Sequence, residues 1–252
     1  MRVLLFDTPE LLGEQAAQLT AAALNAAIAQ RGGARLLMAT GASQLVTIRA
    51  LTEQPVDWAR VEMFHLDEYI GLSPAHPASF VRYLRERFAR KVNLKAAHYI
   101  DTASDISERI AELTAELEKA PVDAGLIGIG ENGHIAFNDP PADFADPASY
   151  KIVTLDEACR HQQLREGWFP TLDDVPRQAV SMTVSRIMKC GSIISAVPFA
   201  VKAKAVRDTL ADGVTERVPA TILKTHPDFT LLLDKGSASL IHTGIHFSTG
   251  AS

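Results

Sequence analysis

Cysteine is scarce in this chain. Cys159 and Cys190 are the only two among 252 residues, too few for a disulfide framework, and both read as reduced thiols of a cytosolic protein. An excess of positive charge is also missing. Lys and Arg total 25 against 30 Asp and Glu, a formal net charge of −5. That excludes the electrostatic footprint of a nucleic-acid binder, and it requires any anionic ligand to be met by locally placed cations and amides. No apolar run approaches the length of a membrane span, and the opening MRVLLFDTPE reaches an acid and a proline too soon for a signal peptide. The expectation is a cytoplasmic protein with neither a nucleic-acid nor a membrane partner. Repeats and low-complexity tracts are absent. What remains is an ordinary globular composition, 47% hydrophobic and 22% charged. The length suits one α/β domain over residues 1–252 with a substantial core.

The stretch from Asp123 to Pro141 carries the most chemistry. It opens with Ala124, Leu126, Ile127 and Ile129, which suit a strand buried on both faces. It then breaks into Gly128, Gly130, Glu131, Asn132, Gly133 and His134, and closes with Asn138, Asp139 and two prolines, which forbid a simple helix. A buried parallel strand ending in such a loop presents an imidazole, an amide and a carboxylate where open α/β sheets bind ligands. A plain β-turn with His134 capping a neighbour is the simpler alternative. It explains less well why three polar side chains crowd one glycine-rich loop.

Other strand ends are similarly loaded. Arg35–Ala39 runs into Thr40-Gly41-Ala42-Ser43 and then a helical stretch, Gln44–Leu51. A glycine turn opening a helix presents free N–H groups to an anion, although capping alone also uses these residue types. Val61–His65 is followed by Asp67-Glu68, either of which could be a solvated charge or a general base. Ser79 is a plausible cap for a helix over Phe80–Phe88. Asp105 and Glu108 resemble a capping box opening a helix that ends at Lys119. Ser192–Val197 is a strand leading into a helix over Lys202–Leu210. A lysine at that helix start opposes the dipole preference and makes better sense beside a bound anion. Arg2–Asp7 and Thr230–Asp234 read as further strands, Leu11–Gln30 as an alanine-rich helix ended by Gly32-Gly33, and Met182–Lys189 as a short helix. Residues 142–178 fit no long pattern beyond a helical piece over Glu157–Glu166. Such an insertion suggests a lid in which Arg160 and Arg165 could clamp a phosphate. His242 and His246 have helical metal-pair spacing but lack a third ligand, so no metal is expected.

Strands alternating with helices imply an α/β fold, a Rossmann-like, doubly wound and mostly parallel sheet with helices on both faces and a lid insertion. The loaded loops would then gather at one sheet edge.

At this point the sequence resembles a known family, the glucosamine-6-phosphate deaminase/isomerases, within the wider group that includes 6-phosphogluconolactonases. The resemblance covers most of the chain. MATGAS (38–43), LDEYIGL (66–72), HPASF (76–80), GIGENGHIAFNDP (128–140) and FAVKAKAV (199–206) carry it, and GHIAFN is similar to the aminosugar branch rather than the lactonases. It implies a cofactor-free, metal-free enzyme, a hydrolase with isomerase character, converting glucosamine 6-phosphate to fructose 6-phosphate and ammonia. By the family motif, Asp67 matches the base moving a proton between C2 and C1, and His134 the ring-opening histidine. Asn132 and Asp139 match its supporting positions, and Thr40, Gly41, Ala42, Ser43 and Lys202 the phosphate site.

Three departures from the family stand out. Aspartate at 139 replaces the usual glutamate, Gly41-Ala42-Ser43 replaces glycine-glycine-threonine, and the lid reads CRHQQLREGWF (159–169). The clamping arginine is assigned to Arg160, with Arg165 second. Residues used for allosteric control in some members are not recognisable, so no such regulation is expected. The family includes monomers and larger assemblies, so a homo-oligomer is within its range. A 6-phosphogluconolactonase, an isomerase for another sugar phosphate, and a non-catalytic sugar-phosphate sensor are the alternatives.

Overall fold

The computed structural model describes residues 1–103, 105–211, 213–241 and the backbone of 248–249; His242 and His246 lie outside the described residues. In chain order the elements are β1 (Arg2–Phe6), α1 (Pro9–Arg31), β2 (Ala34–Met38), α2 (Leu45–Thr52), β3 (Val61–His65), β4 (Asp67–Tyr69), α3 (Phe80–Leu84), β5 (Ala96–His98), α4 (Ile106–Glu118) and β6 (Ala124–Leu126). They continue with β7 (Tyr150–Thr154), α5 (Glu157–Arg165), β8 (Gln178–Met182), α6 (Val184–Ile187), β9 (Ser192–Val197), α7 (Ala203–Leu210), β10 (Phe229–Asp234) and β11 (Ser248–Thr249).

The main sheet has eight strands in the order β11-β1-β10-β9-β6-β2-β3-β5, and every described pairing within it is parallel. Alternation along the strands splits the core in two. Leu36, Met38, Met63, Ile194 and Leu232 share a cluster with α1 and α2. Leu37, Phe64, Ile193, Leu231 and Leu233 share the opposite one with α4, α6 and α7. Burying each such side chain contributes roughly 2 kcal/mol, so helices are held on both faces, as the strand–helix alternation predicts. Local signals place the helix ends. Thr8 caps α1 by accepting from the Leu11 N–H at 3.3 Å, and Asp105 accepts from Ser107 and Glu108 at 2.9 and 3.0 Å.

From β2 the chain moves outward to β3 and β5, then returns through β6 to the other side of β2 and on to β9 and β10. The connections leaving the neighbouring strands β2 and β6 therefore diverge. The loops after their carboxyl ends, Thr40–Ser43 and Gly128–Asp139, flank the crevice where doubly wound sheets bind ligands.

Several boundaries differ from the sequence reading. Asp67–Tyr69 is a strand rather than a loop, and β6 stops at Leu126, short of Ile129. The helix after Ser79 widens into a π-helical turn from Arg85 to Ala89. Met182 ends a strand instead of starting a helix. The segment 142–178 contains β7 as well as α5, and a second, antiparallel sheet forms in the order β4-β8-β7. Tyr69, Phe80, Phe137, Cys159, Phe169 and Val175 pack beneath it as a separate apolar cluster. These pairings join segments far apart in sequence, so local periodicity carried no trace of them.

Candidate active site

A cleft open to solvent lies at the β2/β6 crevice, and Thr40, Gly41, Ser43, Asp67, His134 and Lys202 all line it. Gly41 (φ +102) turns the chain out of β2 in a conformation suited to glycine. Ala42 is not in the left-handed region, so the alanine that departs from the family pattern costs no backbone strain. It does not line the cleft. Gln44 donates to the Ala196 carbonyl at 3.1 Å and ties this turn to β9.

Asp67 and Glu68 divide their roles sharply. The Glu68 carboxylate accepts four hydrogen bonds: from the Tyr69, Phe80 and Val81 N–H groups at 2.9, 3.2 and 2.8 Å and from the Ser79 hydroxyl at 2.9 Å. It fastens β4 to the start of α3. The Asp67 side chain is only 6% exposed and accepts no hydrogen bond from a described residue. Burial, with a smaller push from Glu68, raises its carboxyl to about 8. A buried carboxylate without partners is costly to maintain, and its place on the cleft wall gives it a use as a base.

His134 packs its ring against Gly130, where a Cβ would come within 2.2 Å of the imidazole. Its Nδ1 lies 3.1 Å from Asp139 Oδ1, so the aspartate in place of the family's glutamate still reaches the ring. Asn132 joins the pair, donating to Asp139 at 3.3 Å and accepting from the His134 N–H at 3.1 Å. Burial raises the Asp139 carboxyl, but hydrogen bonding and charge from His134 and a bond from Asn132 outweigh it, so the group sits below its ordinary value. The loop is pinned by Asn138, which donates to the Ile135 and Met182 carbonyls at 2.9 and 2.8 Å.

Cys159 completes a group with His134 and Asp139 whose ligand-type atoms lie within 4.8 Å of one another. Burial pushes the thiol well up, favouring a neutral S–H over the thiolate that a metal ligand needs. This donor set suits a hydrogen-bonded network better than a metal site.

Lys202 is buried and lines the cleft. Burial lowers its pKa against the pull of Glu166 and Glu131, and its Nζ forms no hydrogen bond or ion pair with a described residue. The turn that delivers it is held by Asp234, which accepts from the Phe199 N–H at 3.0 Å. Phe199 itself is forced to φ +80.

Arg160 requires a correction. Its side chain is buried away from the cleft and donates to the Leu172 and Val175 carbonyls, tying α5 to the segment before β8. Arg165 pairs with Glu131 at 2.6 Å and is largely exposed; it does not line the cleft either. Instead α5 presents Gln162 and Gln163, and Glu166 follows just past its end. The sequence reading missed these three. Their helical spacing on the α5 stretch was the available signal, but amphipathic spacing alone does not say which face meets a ligand.

A protein-family model, glucosamine-6-phosphate isomerases/6-phosphogluconolactonase, matches residues 7–231. The chain belongs to this family. It is 34% identical over 249 residues to a glucosamine-6-phosphate deaminase of Thermoanaerobacter pseudethanolicus, covering 96% of this chain and 95% of the relative. It is 32% identical over 242 residues to one from Lactobacillus delbrueckii subsp. bulgaricus, covering 96% and 100%. Among solved structures, a monomeric glucosamine-6-phosphate deaminase superposes with a TM-score of 0.86 at 30% identity, covering 96% of this chain and 100% of that one. A 6-phosphogluconolactonase from Shewanella baltica gives a TM-score of 0.76 at 20% identity, covering 93% and 97%; that likeness concerns the fold alone. No described helix is long and apolar enough to cross a membrane.

Proposed function

We propose that this family member is a glucosamine-6-phosphate deaminase, releasing ammonia and fructose 6-phosphate from glucosamine 6-phosphate and water. One observation carries the reading: an unpaired buried carboxylate, Asp67, the His134–Asp139 pair and an unpaired buried ammonium, Lys202, border one small cleft. These relatives, at 30–34% identity, are named as deaminases, which supports this reading over a lactonase.

The phosphate sits at Lys202 with the Gly41 turn and the Thr40 and Ser43 hydroxyls. It does not react, so its binding energy positions the sugar. His134, oriented by Asp139 and Asn132, passes a proton to the ring oxygen as the C1 hydroxyl loses one, giving the open-chain aldehyde. Asp67 takes the C2 proton and returns it to C1. The electron pair moves through an enolamine, C1 becomes an alcohol carbon and C2 an imine, and water adds at C2 to release ammonia. A carboxyl held near pH 8 is a stronger base, once ionised, than an ordinary aspartate. Homo-oligomer formation is tested separately by light scattering on the pure chain.

The deciding experiment is coupled measurement of ammonia and fructose 6-phosphate. Production of both in equal amounts supports the reading. Pure folded protein that binds sugar phosphate without turnover points to a sensor, and 6-phosphogluconolactone hydrolysis in its place points to a lactonase.

A further inference from the structure

Helix α5 runs along the cleft from one chemical end to the other. At its start, Asp156 accepts from the Cys159 N–H at 2.6 Å, and the Cys159 sulfur lies within 4.8 Å of the ligand-type atoms of His134 and Asp139. Just past its end, Glu166 lines the cleft together with Lys202 and Gly41, and the Tyr83 hydroxyl donates to the Gly41 carbonyl at 2.9 Å. The nine residues of α5 span about 13 Å, so the side chains of its second half that line the cleft lie between the His134–Asp139 end and Glu166.

Two glutamines stand in that second half, and their states differ. Gln162 is engaged: its oxygen accepts from the Glu131 N–H at 3.2 Å and its nitrogen donates to Glu166 at 2.9 Å. Gln163 lines the cleft and is 5% exposed, yet its Oε1 has no hydrogen-bond partner, and no bond from its Nε2 to a described residue is formed. An unpaired buried amide oxygen costs on the order of 1–3 kcal/mol.

We propose that Gln163 is a specificity-determining residue whose amide hydrogen-bonds a hydroxyl of the sugar chain at C3 or C4, between the phosphate and the reacting C1–C2 pair. This rests on the aminosugar-phosphate reading above. The ligand class follows from the chemistry: a six-carbon sugar phosphate with a hydroxyl at mid-chain, read by a neutral amide that can both donate and accept.

The test uses the full chain with Gln163→Met, which keeps side-chain length and removes the hydrogen-bonding groups, and Gln163→Asn, which withdraws the amide by one methylene. Binding of fructose 6-phosphate and of inorganic phosphate is measured by calorimetry. Gln163→Met is expected to weaken fructose 6-phosphate about tenfold or more while leaving inorganic phosphate within about twofold. Gln163→Asn should show the same contrast to a lesser degree, and it carries the test should the Met variant fold poorly. Equal losses for both ligands, no loss for either, or a wild-type chain that ignores fructose 6-phosphate overturns the assignment. Preserved contrast without any ammonia release leaves Gln163 in place and counts against the deaminase reading alone. Where turnover is present, the preference for glucosamine 6-phosphate over its C4 epimer, galactosamine 6-phosphate, is expected to shrink in the Met variant if the C4 hydroxyl is the one read.

Discussion

His134 and Asp139 meet across one loop with Nδ1 3.1 Å from Oδ1. Asn132 joins Asp139 to the His134 backbone N–H, and the ring packs against Gly130, so the imidazole is held where it lines the cleft. Asp139→Asn keeps the shape but can present an N–H to Nδ1, which favours the wrong tautomer. We expect kcat to fall at least about 100-fold with KM changed little. Steady-state kinetics decide the matter, and unaltered kcat would show that the pair has no part in turnover.

Asp67 is raised to about 8 in the folded protein by burial first and Glu68 second. Its unfolded value is near 4, so the wild type loses stability as pH rises from about 4 to about 8, the window in which the unfolded chain ionises and the folded site resists. Asp67→Asn escapes that penalty. Turnover should be abolished and binding of sugar phosphate retained. The melting temperature should exceed the wild type's by about 5 °C or more at pH 8, the gain vanishing near pH 4. Calorimetry across that range is the check, and a pH-independent difference would contradict the burial argument.

Glu68 receives four donors in a buried setting. Glu68→Gln leaves an amide nitrogen facing N–H groups, so destabilisation of about 1–3 kcal/mol is expected. It also removes the charge that helps raise Asp67, so the acid limb of kcat/KM should move to lower pH. Denaturant melts and a pH–rate profile test the two effects separately, and a limb moving to higher pH would refute the electrostatic coupling.

Lys202 holds an unpaired charge against desolvation. Lys202→Met should raise KM for phosphorylated sugars about 10- to 150-fold, as for a lost charged hydrogen bond. It should also raise the melting temperature of the ligand-free protein and abolish the stabilisation given by inorganic phosphate. Phosphate that still shifts the melting curve of the variant would place the anion elsewhere.

Gly130 leaves no room for a side chain, since a Cβ would sit 2.2 Å from the His134 ring. Gly130→Ala must displace the imidazole, and a shift near 1 Å costs on the order of 100-fold in rate. Equal kcat in the alanine variant would mean that the ring position does not matter.

The residue string alone determined the doubly wound architecture, because buried parallel strands are continuous apolar runs and their ends are marked by glycine and polar residues within a few positions. It also brought His134, Asn132, Asp139, Ser43 and Lys202 to loops or turns after the strands, whereas Asp67, read as part of a turn, begins β4. The second sheet escaped it, since β4, β7 and β8 are brief and find their partners far along the chain. Tertiary structure decided which of two adjacent acids is free. Glu68 is consumed by donors from the start of α3 that sequence proximity does not reveal, and Asp67 is left bare. It also turned Arg160 into the carbonyls of Leu172 and Val175 and brought Gln163 to the cleft instead. The physical reason is common to all three: a side chain's role is set by the partners that remain to it after folding, and those come from distant segments.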